Sequence, residues 1–403
     1  MASANDYKQP KNRLHALSSF FASFFQKAVE GVPTLASRTL RDSVLGVDIG
    51  TSSIKIVQLS HEKGSPKLDT YGAIELAPYK TPDVSVSASV SLAEANALAD
   101  LMHEVNATAR EGGCSIPLSS TLFSISDIPK RDDEQTRVLI AHDAQKFIPV
   151  PIQQVALDWK VIPEREAGIE GFDRLDETNN VRAHMQKVLI VAVIKEAINA
   201  RAKIFAQANL SIIFNEIEMF GAMRVFRDHI AEPTLIIDIG ASKSKFYTVN
   251  EKNSLCAVNS IDIGGDAIVE ALTQKMHWSM KDSEEALRKR GMRESKEFSS
   301  EANDDMADIF TNAMHEICKN ALRLMDEFKT EYARSITKII LVGGCARMNG
   351  LPEYISESCS VTTERGDSFK SITTPFVLAD SIRDAGPQFA VATGLALRGL
   401  ESR

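Results

Sequence analysis

The stretch VLGVDIGTSSIKIVQLS, Val44 to Ser60, places a carboxylate, a glycine, three hydroxyls and an ammonium close together: Asp48, Gly50, Thr51, Ser52, Ser53 and Lys55. An apolar strand that ends this way is either a plain tight turn or half of a binding site. What decides is whether the chain holds a partner for it. About 190 residues on, TLIIDIGASKSKFYTVN (Thr234 to Asn250) repeats the grammar. An apolar strand ends in Asp238-Ile239-Gly240, a small polar turn follows through Ala241 and Ser242, and an alternating strand comes next. A third segment, KIILVGGCARMNGLPEYI (Lys338 to Ile355), reads as a buried strand, a turn at Gly343-Gly344 and a new helix. Pro352 suits the first turn of that helix. Paired glycines mark backbone that passes close to something or takes positive φ, although alone they are equally a tight turn.

Other chemistries are excluded by what the 403 residues lack. There is no GxxxxGK[ST] phosphate loop and no GxSxG nucleophile elbow. The eight histidines are scattered, without HxxxH or a His/Cys cluster, which argues against a metal hydrolase. A net charge of −8 argues against nucleic acid as a partner, because phosphate contacts need a basic surface. Cys114, Cys256, Cys318, Cys345 and Cys359 are odd in number, far apart and without CxxC, the usage of reduced cytoplasmic thiols.

The elements that must position these turns form two halves of one repeated α/β architecture. The expected division is an N-terminal extension at 1–42, a first half at 43–126, an inserted α+β subdomain at 127–210, a return to the first half at 211–232, a second half at 233–386 with a helical insertion at about 266–335, and a C-terminal helix at 387–403. Residues 78–90 read as a loop, and Ser91 to Ala109 as a helix opened by a capping box of Ser91 and Glu94. A short strand at 120–129 precedes the insertion, which reads as a helix at 133–147, a strand at 155–162, a polar loop at 164–185, a strand ending at Ile194 and a helix at 195–208. The charged run at 282–297 reads as a solvated face. No apolar run approaches the ~20 residues that span a bilayer. In the extension, Leu14, Leu17, Phe21, Phe24, Phe25 and Ala28 recur at helical spacing. That amphipathic helix could pack on its own domain, lie on a membrane or a partner, or serve as a poor signal peptide.

Taken in order, Asp-Ile-Gly, Asp-Ile-Gly and strand-Gly-Gly resemble the nucleotide site of the actin-like ATPase superfamily. The motifs LGVDIGTSSIKIVQL, KFIPVPIQQVALDWKVI, KVLIVAVIKEAI, FNEIEMFGAMRVF, LIIDIGAS, ILVGGCARMNGL and PQFAVATGLALRGL narrow the resemblance to the PilM family of type IV pilus assembly, related to FtsA, over about residues 44–400. The resemblance implies a duplicated actin-like (ribonuclease H-like) fold, with a small α+β subdomain inserted in the first half and a C-terminal helix returning to it.

It also implies a site for ATP and magnesium. Gly50, Gly240 and Ala241 would let backbone N–H groups approach the phosphates, and Thr51, Ser52, Ser53 and Ser242 would add hydroxyls. Lys55 and Arg347 are candidates for the same ligand. Asp48 and Asp238 would hold magnesium largely through water, and Gly343 and Gly344 would underlie the adenine and ribose. Glu218 is the candidate for positioning the attacking water; its plain alternative is a solvent-facing or capping glutamate. In one departure, Lys243-Ser244-Lys245 stands where the family usually has small Thr or Asn residues, which bears on turnover more than on binding. The implied role is a cytoplasmic adaptor at the inner face of the inner membrane. It would dock the N-terminal cytoplasmic peptide of a PilN-like protein and link it to pilus motor and platform components, with the amphipathic helix as a possible peripheral membrane contact. The alternative readings are an FtsA-like filament-forming, membrane-associated ATPase, and a small-molecule kinase, for which no further catalytic aspartate stands out.

Overall fold

The computed structural model describes residues 43–79, 86–131, 133–162, 185–251, 253–293 and 299–401. The amphipathic segment at 14–28, residues 80–85 of the loop expected at 78–90 and the polar loop at 164–185 up to residue 184 lie outside these residues, and residues 86–90 of that expected loop are helical.

The first half opens on a meander. Strands β1 (Ser43–Ile49), β2 (Ser53–Glu62) and β3 (Ser65–Glu75) are antiparallel neighbours. Helix α1 (Val86–Glu104) crosses to β4 (Glu111–Ile116), which lies parallel to β1. The inserted unit follows: β5 (Thr121–Pro129), α2 (Asp133–Ala144), β6 (Val155–Ile162) and β7 (Met185–Ile194), with β7 central in a three-stranded antiparallel sheet. Helix α3 (Lys195–Gln207) returns the chain to β8 (Ser211–Ile217), completing the sheet order β3-β2-β1-β4-β8, and α4 (Glu218–Phe226) follows at once.

The second half repeats the plan. Strands β9 (Thr234–Ile239), β10 (Ser244–Val249) and β11 (Leu255–Ile261) form the meander. Helices α5 (Gly265–Met276), α6 (Met280–Lys289) and α7 (Ser300–Tyr332) precede β12 (Lys338–Val342). Helix α8 (Leu351–Cys359) leads to β13 (Thr362–Arg365), giving the order β11-β10-β9-β12-β13. Two sheets of five strands, each with a meander and two parallel strands, are the duplication announced by the two Asp-Ile-Gly turns. Ser279 and Ser299 cap α6 and α7 by accepting from the N–H groups of Asp282 and Ala302.

Helix α9 (Ala379–Ala385) leads to α10 (Ala390–Glu401), which packs on β1, β2, β4 and α4 of the first half. Glycine makes the contact possible: a Cβ at Gly46 would lie 1.9 Å from the Ala392 carbonyl oxygen, and one at Gly394 would lie 1.9 Å from that of Gly221. Beside it, buried Glu216 accepts from Arg224 and from Arg398 (2.9 Å), tying β8, α4 and α10 together. Arg398 also stacks 4.3 Å over the Phe214 ring.

Two expectations are corrected, and one strand is an element that the sequence pattern does not announce. Helix α1 begins at Val86, so Ser91 lies inside it and not at its N-cap position. Apolar packing of Ala95, Ala97, Leu98 and Leu101 holds the helix, and it ends at Glu104 ahead of a positive-φ Asn106. The charged run is not all solvated face: Arg290 is buried, donating to the side-chain and backbone oxygens of Asn303 at 3.1 and 2.7 Å. Strand β4, EGGCSI, has no apolar alternation to reveal it. Its glycines are required because a Cβ at Gly112 would meet the Leu45 carbonyl oxygen at 2.5 Å and one at Gly113 the Phe214 ring at 2.2 Å.

Candidate nucleotide site

The two Asp-Ile-Gly turns share one backbone hydrogen bond and one strand register. In each, the glycine N–H donates back across the turn, Gly50 to the Ser53 carbonyl and Gly240 to the Lys243 carbonyl, both at 3.0 Å. The flanking strands register Asp48 opposite Lys55 and Asp238 opposite Lys245. Each half therefore presents one carboxylate and one lysine at the end of its first hairpin. The turns face one another: the Thr51 and Ser242 hydroxyl oxygens are 3.2 Å apart.

Each turn is held from behind. In the first, Ile49 donates its N–H to Ser115 Oγ (3.2 Å) and accepts from Arg201 Nη2 (3.1 Å). Arg201, buried on α3, also pairs with Glu94 of α1 at 3.8 Å. The Ser52 carbonyl accepts from Leu76 N–H at 2.8 Å. In the second, the carbonyls of Gly240 and Ala241 accept from the N–H groups of Gly265 and Asp266 at the start of α5 (3.0 and 2.8 Å). Those carbonyls are thereby satisfied within the fold.

The third segment closes on the second turn. Gly343 has φ +92°, and a Cβ there would lie 2.5 Å from Asp238 Oδ1 and 2.4 Å from the Ile239 carbonyl oxygen. No other residue fits that place. Gly344 is different: a Cβ there would meet nothing within 4 Å, so the backbone forms a bare shelf. Cys345 donates its thiol to the Gly240 carbonyl (3.5 Å), and burial pushes the thiol up to about 12, which leaves it un-ionised at neutral pH. Arg347 reaches Asp384 of α9 at 2.8 Å rather than the turns. Lys55 folds back on its own turn, donating to Ser53 Oγ at 2.9 Å. Lys243 pairs with Asp262, at the far side of the second turn.

Glu218 is neither solvent-facing nor a cap. It is buried at the first position of α4, and both its oxygens are engaged: Oε1 accepts from Leu118 N–H at 2.8 Å, and Oε2 from Lys245 Nζ at 2.7 Å. Lys245 Nζ also lies 3.4 Å from Asp238 Oδ2. Burial pushes the Glu218 carboxyl up, with Asp238 adding to the shift and Lys245 opposing it. Burial alone would lower the Lys245 ammonium; Asp238, Glu218 and the more distant Asp48 together overcome it and raise it well above an ordinary lysine. Lys245 is therefore a largely enclosed ammonium between the two halves, held by one carboxylate from α4 and one from β9. Sequence reasoning noted the residue but not its station; the shared seven-residue spacing of Asp48–Lys55 and Asp238–Lys245 is the signal that assigns it. It did not single out Arg201, Leu118 or the Gly264-Gly265 pair beneath the second turn.

The model for the family described as type IV pilus assembly protein PilM matches residues 46–400. The chain belongs to the PilM family. A solved PilM–PilN type IV pilus biogenesis complex is similar to it, with a TM-score of 0.72 at 20% identity over 90% of this chain and 99% of that one. The ethanolamine utilization protein EutJ from Carboxydothermus hydrogenoformans gives 0.51 at 12% identity, over 90% and 92% of the two chains. A diol dehydratase-reactivating factor in nucleotide-free form gives 0.50 at 12% identity, over 90% and 100%. At these identities the likeness shows the fold alone, which for this PilM-family chain is the actin-like duplicated architecture with its inserted α+β unit. Among the described residues, no helix is long and apolar enough to cross a membrane.

Proposed function

We propose that this PilM-family protein is an ATP-binding adaptor of type IV pilus assembly that binds nucleotide without efficient turnover. The observation that carries the reading is the facing pair of like-built turns, with Thr51 and Ser242 3.2 Å apart and Asp48 and Asp238 at matched positions. Gly50, Thr51, Ser52, Ser53, Lys55, Gly240, Ala241 and Ser242 would hold the phosphates, and the Gly343-Gly344 shelf the adenine and ribose. The donor set suits magnesium: two carboxylates at the strand ends, with no cluster of three or more His, Cys, Asp or Glu among the described residues. That is the sparse oxygen set of an ion that keeps its waters and leans on phosphate oxygens. Asp48 and Asp238 would hold it, and it would supply charge compensation for the phosphates.

Weak turnover follows from Glu218. A water-positioning carboxylate must be reachable by the water, and Glu218 is buried, with each oxygen already accepting one hydrogen bond, from Leu118 N–H and from Lys245 Nζ. Leu118 lies immediately before the inserted unit, so the same carboxylate joins the nucleotide cleft to the root of that unit. The partner we assign is the N-terminal cytoplasmic peptide of a PilN-like inner-membrane protein, with linkage onward to pilus motor and platform components; the likeness to a solved PilM–PilN complex supports a PilN-like partner.

Thermal unfolding with magnesium-ATP, with magnesium-ADP and without nucleotide tests this, with phosphate release followed in the same samples. A large ATP-dependent rise in melting temperature with negligible phosphate release is expected. No shift would refute nucleotide binding, and steady release would refute the adaptor without turnover. Calorimetry with the PilN-like peptide tests the partner separately.

A further inference from the structure

We propose that the apolar turn Phe376-Val377-Leu378 is the docking surface for this chain's own N-terminal segment, residues 14–28. Phe376 is 93% exposed, Val377 91% and Leu378 49%, and among the described residues no other exposed large apolar side chains are consecutive in the chain. A contiguous apolar run facing water marks an interaction site. The turn is held out from both sides. Before it, Thr373 lies against the edge of β3, donating its N–H to the Pro66 carbonyl (2.9 Å) and accepting from Leu68 N–H (3.0 Å). After it, α9 is anchored by Ile382, which belongs to the same buried cluster as Val44, Leu59 and Phe389. Within it, the Leu378 N–H closes on the Pro375 carbonyl at 3.0 Å. Little ordering of the turn remains as a cost of binding.

Position, reach and size select the occupant. Ser43 stands opposite Ser60, Ser60 opposite Lys67, and Lys67 bridges to Thr373. Three inter-strand steps of ~4.8 Å put Thr373 roughly 15 Å from Ser43. Phe376 follows three residues later, at most ~11 Å on. The chain before Ser43 therefore enters the fold within about 25 Å of the exposed turn. In that chain Leu14, Leu17, Phe21, Phe24, Phe25 and Ala28 recur at helical spacing, an apolar face of their own. Residues 29–42 lie between that face and Ser43 and can span up to about 48 Å, which is ample. Three side chains are too small a patch for a separate molecule, because a stable interface between two proteins buries at least about 1,200 Å². A segment tethered to the same chain needs far less, since the tether sets an effective concentration in the millimolar range. Size thus favours the chain's own segment over a second copy.

The experiment places a benzophenone amino acid at Val377 of the full chain, a position exposed enough to leave the core untouched. The protein is irradiated with and without vesicles containing anionic phospholipid, and the products are mapped by peptide mass spectrometry. The expected product is a cross-link to residues 14–28 within one molecule, in both conditions. Leu17→Asp with Phe21→Asp should lower its yield several-fold, because two apolar side chains no longer gain from burial. Ser19→Asp with Gln26→Asp, on the opposite side of the helical pattern, should leave the yield unchanged. A cross-link between two molecules overturns the proposal in favour of a second copy. Transfer of the cross-link to lipid when vesicles are added overturns it in favour of a membrane contact. No cross-link to residues 14–28, or equal yields from the two double variants, overturns it outright.

Discussion

Thr51 and Ser242, 191 positions apart in the chain, hold their hydroxyl oxygens 3.2 Å from each other across the cleft. The contact is exposed and joins two turns that are each secured from behind by other groups. It is therefore a measure of how closely the halves face, not a fastening that creates the fold.

Thr51→Ala and Ser242→Ala should each change the unfolding free energy without nucleotide by less than ~0.5 kcal/mol, as surface substitutions do. Each should weaken ATP binding several-fold by removing a donor to the phosphates. Urea unfolding and calorimetry on the same samples separate the two effects; a large loss of stability would mean that the contact holds the halves together.

Asp48→Ala is expected to weaken magnesium-ATP by up to about tenfold, the share that a water-mediated carboxylate contributes. Metal-free ATP should bind the same variant as well as, or better than, it binds the natural protein, since a negative charge has gone. Equal weakening in both buffers would remove Asp48 from the metal's neighbourhood.

The glycine pair separates strain from occupancy. Gly343→Ala places a Cβ against Asp238 in a positive-φ backbone and should cost ~1–3 kcal/mol of stability. Gly344→Ala enters open space and should leave stability unchanged while lowering nucleotide affinity, because the added methyl stands on the shelf. Chemical denaturation and titration of both variants give the comparison.

Lys245 sets an alkaline signature. Its folded value is raised above an ordinary lysine, so the stability it contributes is complete below the unfolded value of ~10.4 and is lost as pH rises beyond it. The stability difference between the natural protein and Lys245→Met should be flat from pH 6 to about 9 and should narrow above about 10.5. A difference that does not narrow in denaturant titrations at high pH would show that Lys245 acts through packing alone.

Glu216→Ala should cost ~3–5 kcal/mol, because it leaves Arg224 and Arg398 buried without their shared carboxylate. Glu216→Gln, which keeps hydrogen-bond acceptance without the charge, should recover part of that loss in urea unfolding.

The paired motifs were legible because chemistry and backbone geometry ask for the same residues: a carboxylate at a strand end, glycine in the turn, hydroxyls after it. Strand β4 was not, because its inward positions are taken by Leu45 and Phe214 and its own residues are glycine, which locally reads as loop. The start of α1 was misread for a related reason, since Ser91 and Glu94 have capping spacing but the apolar face sets where the helix runs. Glu218 was identified as a candidate from its place before β9. Its commitment to Leu118 and Lys245 is a matter of three segments meeting, which no local pattern encodes.

The seat of α10 on β1 has a consequence for how the molecule is made. Gly46 is among the first residues of the sheet and touches Ala392 and Ala396, some 350 positions later. During synthesis the apolar side of β1, where Val44 shares a core cluster with Leu400, stays uncovered until α10 has left the ribosome. Contacts of such long sequence separation form late and slowly. The nascent first half is therefore a natural client for chaperones, and truncation within α10 should yield insoluble protein even though the nucleotide turns are complete.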